Sequence, residues 1–224
     1  MMDILQRDTL VEGGFAGLRE HRLVKSPQAF GPHANLDGSW AGIGNFVYLA
    51  DARFMPKGET RMHEHLEVDV ISVMADGRIA HQGSLGHGQD LNTHDVQVQR
   101  AGGEGFAHNE VNPDDTENRM IQLWFLPETA GQHADYKVYQ PKVGENTRIY
   151  GGTSDADFPA KTLLNVARLQ RNEKLTHEGP FLAYLVTGTG SANGNTITEG
   201  TLIRDTQLTF EANSETQLIL IHTQ

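Results

Sequence analysis

The stretch Gly58–Asp69, GETRMHEHLEVD, together with Gly105–Glu110, GFAHNE, decides how the rest of the chain is read. His63 and His65 lie two apart at the start of an extended run, and residues i and i+2 of a strand point to the same face, so both imidazoles project into one space. The same parity carries Glu67, Asp69 and Ile71 on that face and leaves Leu66, Val68 and Val70 as an apolar stripe on the other. In the second stretch it puts His108 and Glu110 together, while the glycines before them permit a sharp approach to a neighbouring strand. Three imidazoles and one carboxylate can therefore converge. Read alone, an HxH is also what two polar surface residues look like, and periodicity does not choose between the two.

Around these stretches the sequence reads as all-β. Short runs with period-2 alternation and β-branched residues recur, and no window of a dozen residues keeps a helical apolar spacing without a Gly or Pro. Strands are expected at 45–51, 66–74, 78–82, 95–100 and 120–126, pairing in sequence, with Asp76-Gly77 as a hairpin turn. After Pro127 the texture turns polar and glycine-rich, as in a linker. Strands then resume at 162–169, 181–186, 195–197, 201–203, 208–210 and 217–221, with Asn193-Gly194 as a second hairpin turn. The expected architecture is two β-barrel domains, 1–135 and 136–224, in a chain of 224 residues.

Composition narrows the chemistry. Eighteen Lys and Arg against 29 Asp and Glu give a net charge of −11, a field that repels phosphate backbones and argues against direct nucleic-acid binding. With no cysteine, disulfides, thiolate nucleophiles and sulfur-ligated metals are excluded, so any metal must be held by imidazole and carboxylate. Mixed imidazole and carboxylate donors suit Fe(II), Mn(II), Co(II), Ni(II) or Cu(II), with Zn(II) also compatible. No run of about 18 apolar residues and no basic-then-apolar start is present, so the expectation is a cytoplasmic protein without a membrane segment.

The order HxH, an acid four residues on, GxxHxE, then an apolar QLW strand resembles the pirin family of the cupin superfamily. It stands here as MHEH with Asp69, GFAHNE, and IQLWFLP at 121–127, across roughly residues 45–130. The resemblance extends to bacterial pirins associated with quercetin 2,3-dioxygenase activity. It implies a bicupin whose first barrel holds one divalent ion, Fe(II) being the first expectation, on His63, His65, His108 and Glu110. It further implies that Glu110 is the proton acceptor, that a flavonol-like substrate and O2 are the partners, and that the ring opens with loss of carbon monoxide. Since some pirins act through protein partners, a non-enzymatic metal-binding regulator is the alternative.

Departures from the family pattern are Glu64 in place of a usual proline, Glu67 as an added carboxylate on the metal face, and the shorter Asp69. His33 and Trp40 inherit no role. His81, His87, His94, His177 and His222 read as solvated turn or strand residues. Phe106 shares parity with His108 and is expected to wall a pocket, Trp124 and Phe125 to pack in the core or between domains. The second half, lacking HxH and HxE, is expected to be structural.

Overall fold

The computed structural model describes residues 2–153 and 155–224 and is almost entirely β. Contacts divide the chain into two compact units. The larger comprises Leu10–Ala41 and Asn45–Gln140, and the smaller comprises the segment up to Thr9, Gly42–Gly44 and Pro141–Gln224. The division therefore runs after Gln140 rather than at 135/136, and the N-terminal strand belongs with the C-terminal half. Among the described residues no helix is long and apolar enough to cross a membrane.

In chain order the elements up to the division are β1 (Asp3–Gln6), β2 (Gly13–Phe15), β3 (Leu18–Lys25), α1 (Pro27–Phe30), β4 (Phe46–Phe54), β5 (His63–His65), β6 (Asp69–Asp76), β7 (Arg78–Gly83), β8 (Asp90–Asn92), β9 (Val96–Arg100), β10 (Phe106–Val111), β11 (Arg119–Phe125) and β12 (Asp135–Tyr139). Strands β2 to β12 make two sheets, one of seven strands ordered β12-β9-β6-β11-β4-β3-β2 and one of four ordered β5-β10-β7-β8. The pairing is not sequential. Asp76-Gly77 is a turn, with Gly77 at φ 72°, yet β6 and β7 do not pair: the turn hands the chain from the seven-stranded sheet to the four-stranded one. The stretch expected to be a linker contains β12, which pairs along its length with β9.

The expected single strand 66–74 is interrupted. Glu67 adopts φ 52°, a left-handed conformation that breaks the alternation between β5 and β6. The faces exchange as a result. Val70 and Ser72, not Asp69 and Ile71, lie in the rows that face the four-stranded sheet, whereas Asp69 is buried in a pair with Arg100 (Nη2 to Oδ2, 2.9 Å). Glu67 accepts a hydrogen bond from the Gly131 amide at 2.8 Å, away from the histidines, so it adds no carboxylate to their site.

Directly paired residues of neighbouring strands share a face, and the register draws two rows across the inside of the seven-stranded sheet. One runs Arg22, Ala50, Gln122, Ser72, Gln97; the next runs Tyr48, Trp124, Val70, Gln99, Tyr136. Ser72, Gln97 and Gln99 are completely buried, so this interior is a polar belt rather than an apolar core. Apolar packing resumes one layer on, where Leu18, Ala52, Phe54, Met74, Ile79, Leu91 and Met120 cluster.

The smaller unit holds β13 (Glu145–Gly152), β14 (Ala160–Leu169), β15 (Lys174–Thr187), β16 (Thr189–Ala192), β17 (Asn195–Thr198), β18 (Thr201–Ala212) and β19 (Thr216–Thr223). They join in one sheet, to which β1 adds by pairing with β18. Asn193-Gly194, with both residues at positive φ (48° and 79°), closes the β16–β17 hairpin as expected. The expected strands 201–203 and 208–210 are one continuous strand.

Candidate metal centre

β5 is only three residues long and pairs with β10 so that His65 lies opposite Phe106 and His63 opposite His108. This register brings the HxH and the HxE onto one surface. Thr60 ties the two segments together, its amide donating to the Glu110 carbonyl and its hydroxyl accepting from the Glu110 amide, both at 3.0 Å. His108 and Glu110 are fully buried, and His63 and His65 half-buried.

The three imidazoles present the same atom to one point. His108 Nε2 lies 3.0 Å from His63 Nε2 and 3.2 Å from His65 Nε2. His63 Nδ1 is 2.9 Å from the Arg61 carbonyl, an acceptor only, so the proton sits on Nδ1 and the Nε2 lone pair is left to point inward. Two nitrogens bound to one ion at about 2.1 Å and at right angles stand about 3.0 Å apart, so these separations fit adjacent positions around a metal. Burial lowers the His65 pKa to about 4 and that of His108 to about 2, with His63 adding to both shifts, and keeps these rings in the neutral, ligating form.

Among the described residues, the metal-competent group is His63, His65 and His108, their ligand atoms all within 4.8 Å of one another; Glu110 is not part of it. Its carboxyl is held further back by Ser72 Oγ (3.1 Å) and Gln122 Nε2 (3.3 Å), both from the polar belt. Complete burial raises its pKa to about 7 against the lowering effect of those two donors, so the group gains and loses a proton near neutrality.

His63 and His65 open into a cavity of about 360 Å3 that Glu110 and Gln122 also line. One wall is aromatic. Tyr48 and Trp124 lie with ring centroids 4.6 Å apart, Phe30 stacks over Trp124 at 6.2 Å, and Trp124 meets the His65 ring edge-on at 5.7 Å. Phe30 is placed by the single turn of α1, in which Ser26 caps the first amides, Pro27 supplies the first helical φ, and Gly31 at φ 81° ends the turn. Trp124 therefore lines the cavity as well as packing against the buried core around Tyr48 and Val70. Phe106 contacts His65 at 5.0 Å and lines a separate cavity of about 610 Å3, the pocket-wall role expected of it.

The expectation of solvated histidines is overturned at His81. His81 is 1% exposed, its ring 5.5 Å from that of His108 and its Nε2 2.7 Å from the Leu85 carbonyl. His177 and His222, each half-buried in the smaller unit, meet with ring centroids 4.4 Å apart and planes tilted by 48°, and burial lowers both pKa values. Strand parity cannot show this, because β7 meets β10 through a pairing that skips the nearest strands in sequence.

The sequence and the fold have counterparts in known proteins. Residues 32–125 match the pirin family model. The matched stretch holds all three histidines and Glu110. A putative quercetin 2,3-dioxygenase of Zymomonas mobilis is 32% identical over 115 residues, covering 51% of this chain and 48% of that protein, so the aligned stretch spans about half of that relative. A pirin-like protein of Caulobacter vibrioides is 26% identical over 220 residues, covering 92% and 94% of the two chains. The quercetin 2,3-dioxygenase of Escherichia coli O157:H7 is 25% identical over 170 residues, 70% of this chain and 73% of that one. In fold, the chain matches the crystal structure of the bacterial pirin YhhW from Escherichia coli in complex with nickel(II), with a TM-score of 0.82 at 17% identity over 99% and 98% of the two chains. The all-β pirin architecture, a bicupin, is thus the fold of this protein.

Proposed function

We propose that this protein is a mononuclear metal-dependent dioxygenase that opens a flavonol-like aromatic substrate with O2. The observation that carries the reading is three imidazole Nε2 atoms, 3.0 and 3.2 Å apart, two of whose rings, His63 and His65, line a cavity with an aromatic wall. The naming of several relatives as quercetin 2,3-dioxygenases supports it.

His63, His65 and His108 would hold the ion, with Glu110 as the fourth donor, and Fe(II) is the metal we expect among those the donors accept. Such an ion supplies Lewis acidity toward a substrate hydroxyl and the electron-transfer capacity that reaction with O2 requires. The Arg61 carbonyl fixes the tautomer of His63, and burial keeps His65 and His108 unprotonated, so all three rings stay aimed. Glu110, poised near pH 7, takes the hydroxyl proton on a carboxylate oxygen, and Ser72 and Gln122 stabilise its charged form and its position. Tyr48, Trp124 and Phe30 align the planar substrate and exclude water from one side.

The test is quercetin-dependent O2 uptake by protein reconstituted separately with Fe(II), Mn(II), Ni(II), Co(II) and Cu(II), with H63A alongside. Uptake that disappears in the variant is expected. One bound ion per chain with no uptake for any metal would overturn the oxygenase reading and favour the metal-binding regulator.

A further inference from the structure

The same cavity contains a charged device that the metal chemistry does not use. Arg22 on β3 lines the cavity, its side chain 43% exposed, and Glu20 two residues earlier lies on the same face with its side chain 3% exposed. Arg22 Nε donates to Glu20 Oε1 at 2.6 Å and Nη2 lies 2.5 Å from the same oxygen, while the Tyr48 hydroxyl donates to Glu20 Oε2 at 3.0 Å. A buried carboxylate is costly unless paired, and here its partners are one cavity arginine and one cavity tyrosine. Its effect is to lock the guanidinium by its Nε–Nη2 side. A guanidinium carries five N–H donors in a planar fork, and the end formed by Nη1 and the outer proton of Nη2 is the edge that matches two carboxylate oxygens. No acid among the described residues other than Glu20 forms an ion pair with Arg22. Ala50, between Arg22 and Gln122 in the same row, puts no bulk between that edge and the histidines' side of the cavity.

We infer that Arg22 is a specificity-determining residue and that the pocket also takes, beside the flavonol class, a planar aromatic carboxylate. Its two oxygens meet the Nη1–Nη2 edge of Arg22, its ring lies against Tyr48, Trp124 and Phe30, and a ring hydroxyl reaches the histidines. A cavity of about 360 Å3 is at the small end of ligand pockets, roughly 300–1,000 Å3, which favours compact ring systems. The inference rests on this cavity being the substrate pocket proposed above, but it is read through binding and not through turnover.

The experiment is calorimetric titration of 4-hydroxybenzoate and of its uncharged amide into wild type, R22L, R22K and the double variant E20Q/R22Q, each metal-free and loaded with Ni(II). Wild type is expected to bind the acid at least about 10-fold more tightly than the amide in both metal states, a factor of ten being about 1.4 kcal/mol. R22L and E20Q/R22Q are expected to bind acid and amide alike, and R22K to keep part of the gap because it retains charge without the fork. The double variant leaves no buried unpaired carboxylate, so it reports even if R22L folds poorly. Equal binding of acid and amide by wild type overturns the inference. So does a preference that survives loss of Arg22, which in the loaded protein alone would place the carboxylate on the metal. Absence of flavonol-dependent O2 uptake would remove the oxygenase reading while leaving this binding ratio as measured.

Discussion

The two β units put opposite materials inside similar walls. In the larger, the inner rows carry Arg22, Gln122, Ser72, Gln97 and Gln99 opposite His108, Glu110 and His81. In the smaller, the core cluster is Leu169, Phe181, Leu185, Ile203, Phe210, Leu218 and their neighbours, with buried polar residues such as Thr162, Thr201 and Gln217 around it. Both are β architectures with the same strand rhythm, yet an apolar cluster dominates one interior and a cavity bordered by titratable groups the other. The difference teaches that the chemistry is a property of inward side chains grafted on the fold, not of the fold itself.

That contrast can be broken from either side. The largest expected effect is in the smaller unit: F210A, at a completely buried position, should lower unfolding free energy by about 3–5 kcal/mol in urea denaturation. In the polar unit, H108A should reduce Ni(II) affinity by more than about 100-fold in competition titrations, since it removes the central Nε2 of the three. Glu110 gives a signed pH effect. Its folded pKa of about 7 lies above the unfolded carboxylate value, so the metal-free fold retains a proton that the unfolded chain releases, and stability falls as pH rises through that window. E110Q should abolish that fall and be more stable than wild type at pH 8, by on the order of 1–3 kcal/mol, with little difference at pH 4; equal slopes in the two proteins would refute the assignment.

Smaller still, Q97M/Q99M should cost only about 1–2 kcal/mol, because exchanging the mutually hydrogen-bonded pair for apolar groups of similar shape is nearly neutral and what is lost is the acceptor of the Tyr136 hydroxyl. A loss of several kcal/mol would mean that the belt stabilises the fold as the apolar core does. Last is the His177–His222 contact. Depressed folded pKa values mean that its contribution is full above the unfolded histidine pKa and is lost as pH falls below about 6.5, so H222N should flatten that acid limb by a few tenths of a kcal/mol.

The all-β class, most strand positions and the three convergent histidines are legible in the sequence because each depends on alternation within a few residues. What escapes depends on pairing between distant strands or on one dihedral angle. Glu67 at positive φ shifts the parity of all that follows, which sends Asp69 to Arg100 and brings Ser72 to Glu110. His81 joins the site because β7 pairs with β10, and Arg22, Tyr48 and Trp124 meet because β3, β4 and β11 are neighbours in a sheet whose order is not that of the sequence. Glu20 and Arg22, an acid and a base at i and i+2, had a local signal of a shared face; nothing local said that the face was inward.

β5 is an edge strand of three residues, bounded by left-handed Arg61 and Glu67, and it carries two of the three histidines. Short edges fray at far lower free energy than central strands do. One local opening therefore withdraws His63 and His65 together, so ion exchange at this centre is timed by amide opening of 63–65, and a bound ion would act as a clasp that slows deuterium uptake there before anywhere else in the sheet.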